Sequence, residues 1–248
     1  MSGRTSIGFD RRVEAEWLNA IALQVAAGLK GSELRTFAFE LMDGVVAGGT
    51  KHGTAAQKTV TVLTRTWANV NPEVIGLRDR AVELFPSLPA DERMALHWSM
   101  ALAGYRFFGD VAGLCGRMLE LQGDLNLAQV TRRLRESWGE RSTMNRATQR
   151  VVRSMVQWGG LADTKSKGMY TQIPRKVPVQ ADIAEVLVEA LLIHEGKGIP
   201  MDQAVRHSAL FPFNLKLQAH HLRQSPRFEV HRQGLDIDVV SLAKVPAP

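Results

Sequence analysis

Between Ser142 and Trp158 the chain sorts apolar and polar positions with the 3.6-residue period of a helix. Met144, Ala147, Val151, Met155 and Trp158 recur at steps of three and four and form one face. Arg146, Gln149, Arg150, Arg153 and Gln157 form the other. Ser142 and Thr143 offer hydroxyls to cap the first turn, and Gly159 and Gly160 end the helix. One face is thus expected to bury, while the other presents three guanidinium groups and two amides. Arg suits phosphates and guanine edges and Gln suits adenine, so this polar face fits a DNA major groove. A solvated basic surface helix is the plainer alternative.

The same periodicity organises the first 124 residues into about six helices with no strands. A helix capped by Asp10 is expected to reach Leu29, with Val13, Trp17, Ile21, Val25 and Leu29 inward. Ser32 opens a second, with Leu34, Phe37 and Leu41 inward. A glycine-rich stretch, GVVAGGTKHGT, has neither GxGxxG nor GxxxxGK[ST] and reads as a loop. Ala56, Val60, Leu63 and Trp67 mark a third helix, and Val74, Leu77, Ala81 and Leu84 a fourth. The long apolar run after Asp91 reads as two helices broken near Gly104–Asp110. These helices predict an α-helical bundle.

Asn126 is placed to cap LAQVTRRLRESW, with Leu127, Val130, Leu134 and Trp138 on one face and Arg132, Arg133 and Arg135 elsewhere. A short glycine-bearing turn joins it to the helix after Ser142, a helix-turn-helix layout. LAD and MYTQI follow as short strands around a lysine-bearing turn, TKSKG. Helix, turn, helix and basic hairpin predict a winged helix. Lys165 and Lys167 would reach the DNA backbone or minor groove from the wing, as Arg175 and Lys176 would from its exit. An ordinary exposed hairpin is the alternative. Pro174 and Pro178 predict a stiff linker. Beyond it, helices are expected over residues 181–195, 201–209 and roughly 214–223. Two strands around Gln233-Gly234 and a frayed Pro-Ala-Pro tail follow. That pattern suggests a second winged helix, suited to scaffold or partner contact.

The expected fold class is therefore mainly α. A helical bundle over residues 1–124 precedes a basic winged helix-turn-helix over 125–180 and a C-terminal α+β module over 181–248.

Charge sharpens this division. The net charge is +6, from 31 Lys/Arg and 25 Asp/Glu. Residues 1–124 hold 13 basic and 14 acidic side chains, and residues 181–248 hold 7 and 8. Residues 125–180 hold 11 against 3, a net +8. Solubility does not require such segregation, whereas binding a polyanion does.

Catalytic chemistry finds no positive case. Cys115 sits in an apolar helical segment and reads as a small core residue; a single cysteine excludes an internal disulfide. His97 beside Trp98 reads as a satisfied core histidine. His220 and His221 are adjacent and are not expected to share a helix face, so they make a poor metal pair. Asp236 and Asp238 alternate on a strand with no Lys or Glu to complete a divalent-metal site. HExxH, GxSxG and a Walker lysine are absent. No cofactor is expected. The N-terminus lacks a signal-peptide core and no run of about 18 apolar residues occurs, so a cytoplasmic location is expected.

This layout resembles the BrxA family of bacterial phage-exclusion (BREX) systems. The resemblance extends over residues 11–180 and rests on AEWLNAIALQVAAGL and on STMNRATQRVVRSMVQWGGLAD with its hairpin. It implies double-stranded DNA binding without enzymatic activity, and a helical half similar to the antiterminator NusB. Residues 181–248 depart from it.

The expected function is non-enzymatic binding of double-stranded DNA. Arg146, Gln149, Arg150 and Arg153 would be central, and Arg132, Arg133, Lys165 and Lys167 would contact phosphates. Two other readings stand: an adaptor docking an acidic protein partner through the basic unit, and RNA binding through the helical half.

Overall fold

The computed structural model describes residues 6–234 and 237–243, with the backbone alone at Asp91. The chain is mainly helical, with eleven α-helices and eight short strands among the described residues. Six helices come first: α1 (Ala15–Ala26), α2 (Gly31–Met42), α3 (Ala55–Trp67), α4 (Ile75–Leu84), α5 (Ala90–Gly104) and α6 (Arg106–Gln122). The period predicted for α3 holds, since Ala56, Val60, Leu63 and Trp67 are all buried and Thr54 caps it by accepting from the Gln57 N–H. The break between α5 and α6 falls at Tyr105, whose hydroxyl donates to the Val62 carbonyl of α3.

The first helix differs from expectation. It starts at Ala15, and Asp10 caps nothing; residues before it run extended along a later helix. Its buried face is Leu18, Ile21 and Ala22, while Trp17, Val25 and Leu29 are half-buried against the core. The face turns because α2, α3 and α4 flank α1 and claim a side that spacing alone does not choose.

A strand, β1 (Asp124–Asn126), precedes α7 (Leu127–Trp138), α8 (Met144–Gln157), β2 (Leu161–Asp163) and β3 (Met169–Gln172). Asn126 caps α7 by accepting from the Ala128 N–H. The sheet order is β1-β3-β2, antiparallel throughout, so the last strand lies between the other two. The expected stiff linker is instead a strand, β4 (Val177–Val179), paired in parallel with β6 (Phe213–Leu215). Pro178 is tolerated because a two-stranded sheet leaves each strand an outer edge where a missing N–H costs nothing.

The rest of the chain runs α9 (Ala181–Glu195), β5 (Ile199–Pro200), α10 (Met201–Val205), β6, α11 (Ala219–Gln224), β7 (Phe228–Gln233) and β8 (Ile237–Leu242). The helix expected from about Asn214 is therefore a strand, then a six-residue helix; pairing with β4 takes Asn214 and Leu215 into extended backbone. The third sheet has the order β5-β8-β7, again with the last strand central. Asp236 and the Pro-Ala-Pro tail lie outside the described residues.

The buried core is continuous across residues 124 and 180. Helix α9 packs on α5, and the 3-10 turn at Ser208–Leu210 packs on α6. Glycines of α6 allow the close approach of that turn and of α9. A Cβ on Gly116 would lie 1.9 Å from the Ser208 carbonyl oxygen, and one on Gly109 would lie 2.3 Å from the His194 ring. An ionic lock ties α9 to α4 and to the residue before β7: Glu189 of α9 meets Arg80 at 3.3 Å and Arg227 at 3.0 Å, and Arg80 also meets Glu185 at 2.6 Å.

Candidate nucleic-acid interface

Helix α8 forms as its periodicity requires. Met144, Ala147, Val151, Met155 and Trp158 are buried, together with Thr148, Val152 and Ser154. Neither expected cap forms, because Thr143 has helical backbone angles and makes no side-chain cap. Gly159, at φ +81°, turns the chain out of the helix, and the Gly160 N–H closes back on Met155 at 2.8 Å.

One flank of α8 is covered by the chain's own start. Val13 donates its N–H to Ser154 Oγ at 2.9 Å, and Ala15 to Gln157 Oε1 at 3.1 Å. Trp158 Nε1 donates to the Val13 carbonyl at 2.9 Å. Arg150 donates to the Asp10 carbonyl at 2.7 Å. Burial is the main influence lowering the pKa of Arg150, with Arg11 and Arg146 adding repulsion. Gln157 is thus a strap contact and not a free amide.

The opposite flank faces α7 and the turn between β2 and β3. Arg135, Asn145, Gln149 and Lys167 line one recess there, together with Asn126 and Gly168. Arg135 donates to Asn145 Oδ1 at 2.9 Å, and the Leu127 N–H donates to the Gly168 carbonyl at 2.9 Å, which ties the turn to the start of α7. Arg135 and Asn145 were legible as polar helix positions, but their convergence on Lys167 depends on hairpin geometry that spacing does not carry.

The eight residues expected at the site divide into three groups. Arg146, Gln149, Lys165 and Lys167 are exposed and bond to no side chain or carbonyl among the described residues. Arg150 and Arg153 are engaged, the latter with Asp163 at 2.5 Å. That pair is open to solvent, at 36% and 55% exposure. A hydrogen bond from Arg153 to Asp163 is the main cause of its raised pKa. Exposed pairs of this kind contribute about 0–1 kcal/mol, so a phosphate competes for Arg153 at little cost. Arg132 and Arg133 turn to a separate groove between α6 and α7, which they share with Asp110, Arg117 and Glu136. Arg175 is exposed, and Lys176 lines a further groove beside Gly116 and Phe213.

Elsewhere the titratable groups serve the core. Trp67 Nε1 donates to His97 Nδ1 at 3.2 Å, leaving Nε2 to donate to Asn19 Oδ1 at 2.9 Å. Burial drives the His97 pKa down to about 3. Burial likewise pushes the Cys115 thiol up to about 12, so it is not a nucleophile at neutral pH. The histidine pair corrects expectation: His220 and His221 rings lie 3.9 Å apart, because the His221 ring turns back to accept from the Gln218 N–H. Asp238 pairs with Arg223 at 2.7 Å. Among the described residues no three His, Cys, Asp or Glu converge on a metal position, and no helix is long and apolar enough to cross a membrane.

Family models, curated proteins and solved structures offer no match to this chain.

Proposed function

We propose that this chain binds double-stranded DNA without enzymatic activity, using a winged helix-turn-helix built from α6, β1, α7, α8, β2 and β3. The observation that carries the reading is convergence: α7, α8 and the β2–β3 turn meet around Arg135, Asn145, Gln149 and Lys167, with Arg146 and Lys165 exposed nearby. The β1-β3-β2 order supports it, since a strand before α7 holds the base of the hairpin and aims its tip alongside α8. Amides and one guanidinium beside a lysine suit base edges flanked by phosphates. The resemblance of residues 11–180 to the BrxA family supplies the setting of this proposal, bacterial phage exclusion; phage plating on cells with and without the chain tests that part.

Fluorescence anisotropy on a labelled duplex tests the binding. Affinity should fall steeply with salt, as phosphate contacts release counterions. Arg146→Glu with Lys167→Glu should weaken binding on the order of 100-fold, at about 1–3 kcal/mol per contact, with circular dichroism unchanged. Wild-type affinity in the double variant refutes the proposal. Equal, weak binding to the duplex and to polyglutamate replaces it with the adaptor reading, and preference for competitor RNA replaces it with the RNA reading.

A further inference from the structure

A second basic recess lies on the strap side of α8, away from the one shared with the hairpin turn. Arg11, Lys58, Thr143, Arg146 and Arg150 line it, with Asp10 as its acidic member, around a cavity of about 200 Å³. Three elements distant in sequence supply these groups: the strap, α3 and α8. The side chains of Lys58 and Arg146 bond to nothing among the described residues. Arg11 Nε is buried with no hydrogen-bond partner, and Thr143 gives its side chain to no cap. Arg150 feels both Arg11 and Arg146 as repulsive neighbours. Four cations thus surround one carboxylate, and a buried donor is unanswered. Guanidinium and ammonium donors converging from several sides suit a tetrahedral oxyanion with several acceptor oxygens.

We propose that this recess binds a phosphoryl group, and that the duplex backbone supplies it, so that the strap and α3 of the helical half join the DNA footprint. The identity of the source rests on the DNA-binding reading above; the phosphoryl site itself does not. Lys58 is exposed on α3, so Lys58→Ala removes a ligand group without touching the core.

Two measurements test it. The first is thermal unfolding in inorganic phosphate against chloride at matched ionic strength. Phosphate should raise the wild-type midpoint by mass action, and Lys58→Ala and Arg146→Ala should each lose most of that gain. No gain in wild type, or equal gains in all three proteins, overturns the site. The second is duplex anisotropy across salt. Lys58→Ala should reduce the slope of log K against log salt by about 1. Lost phosphate protection with an unchanged slope overturns the duplex as source and assigns the site to a free phosphorylated solute. Intact phosphate protection in a wild type that binds no duplex keeps the phosphoryl site and overturns both the DNA reading and the duplex as its source.

Discussion

Residues 106–172 and 181–242 follow similar paths: helix, strand, two helices, then two strands of which the last is central, with a 3-10 turn and β6 inserted between the two later helices of the second segment. Their surfaces differ. In the first, the third helix has fourteen residues and its outer side carries Arg146 and Gln149 free to solvent. In the second, the equivalent helix α11 has six residues, and its Arg223 is held by Asp238. The second segment also spends its charge inward, where Glu189 gathers Arg80 and Arg227. On the proposed reading, similar paths serve two ends, contact with DNA and attachment to the bundle. What decides is which side chains each carries, not the path itself.

The largest expected effect comes from loosening the attached segment. Glu189 is 7% exposed, and Glu189→Ala takes a carboxylate from both Arg80 and Arg227, leaving Arg80 with Glu185 and Arg227 with the Gly76 carbonyl. Removing one partner of a buried pair costs about 3 kcal/mol or more, readable by urea unfolding. Duplex affinity of the folded variant should stay at the wild-type value. A parallel loss of affinity would mean that the second segment shares the DNA contact.

Acid gives a graded effect, smaller over any single pH unit. Residues 106–172 contain no histidine, whereas residues 181–242 contain His194, His207, His220, His221 and His231. His97 of the bundle has its folded pKa lowered from 6.5 to about 3, so its stabilisation is complete above pH 6.5 and is lost as pH falls. The slope is about 1.4 kcal/mol per pH unit across that window. Burial lowers His207 as well, so its contribution falls in the same direction. His97→Gln should flatten the profile of unfolding free energy against pH. A profile as steep as wild type would place the acid sensitivity elsewhere.

The smallest effect sharpens the contrast at one side chain. Asp163→Asn releases Arg153 from its carboxylate. Duplex affinity should rise by up to about fivefold, the equivalent of about 1 kcal/mol for an exposed pair. Weaker binding would show that Asp163 holds Arg153 in its DNA-contacting pose.

Long periodic elements were readable from sequence, and the faces of α3, α7 and α8 match their spacing because local burial decides them. Of the two- and three-residue strands only LAD, β2, was readable; β1, β4, β5 and β6 were not. Nothing local marks Asp124–Asn126 as a strand, since its partner Met169–Thr171 lies some 45 residues on. Charge segregation located the basic window, but not which arginines stay free. Arg153 and Asp163 are ten residues apart, and only the fold of the hairpin joins them. Arg11 and Lys58 sit in a stretch of near-neutral charge, so no count of charge could have drawn them to α8.

The strap over α8 also bears on synthesis. Its hydrogen-bond partners stand 140–145 residues downstream, so it leaves the ribosome long before they exist. Phe9 and Val13, both fully buried in the finished protein, must wait for Trp158 and Ser154 to emerge. A nascent chain halted before α8 should therefore display that greasy N-terminal stretch to chaperones, and release it only once α8 has been made.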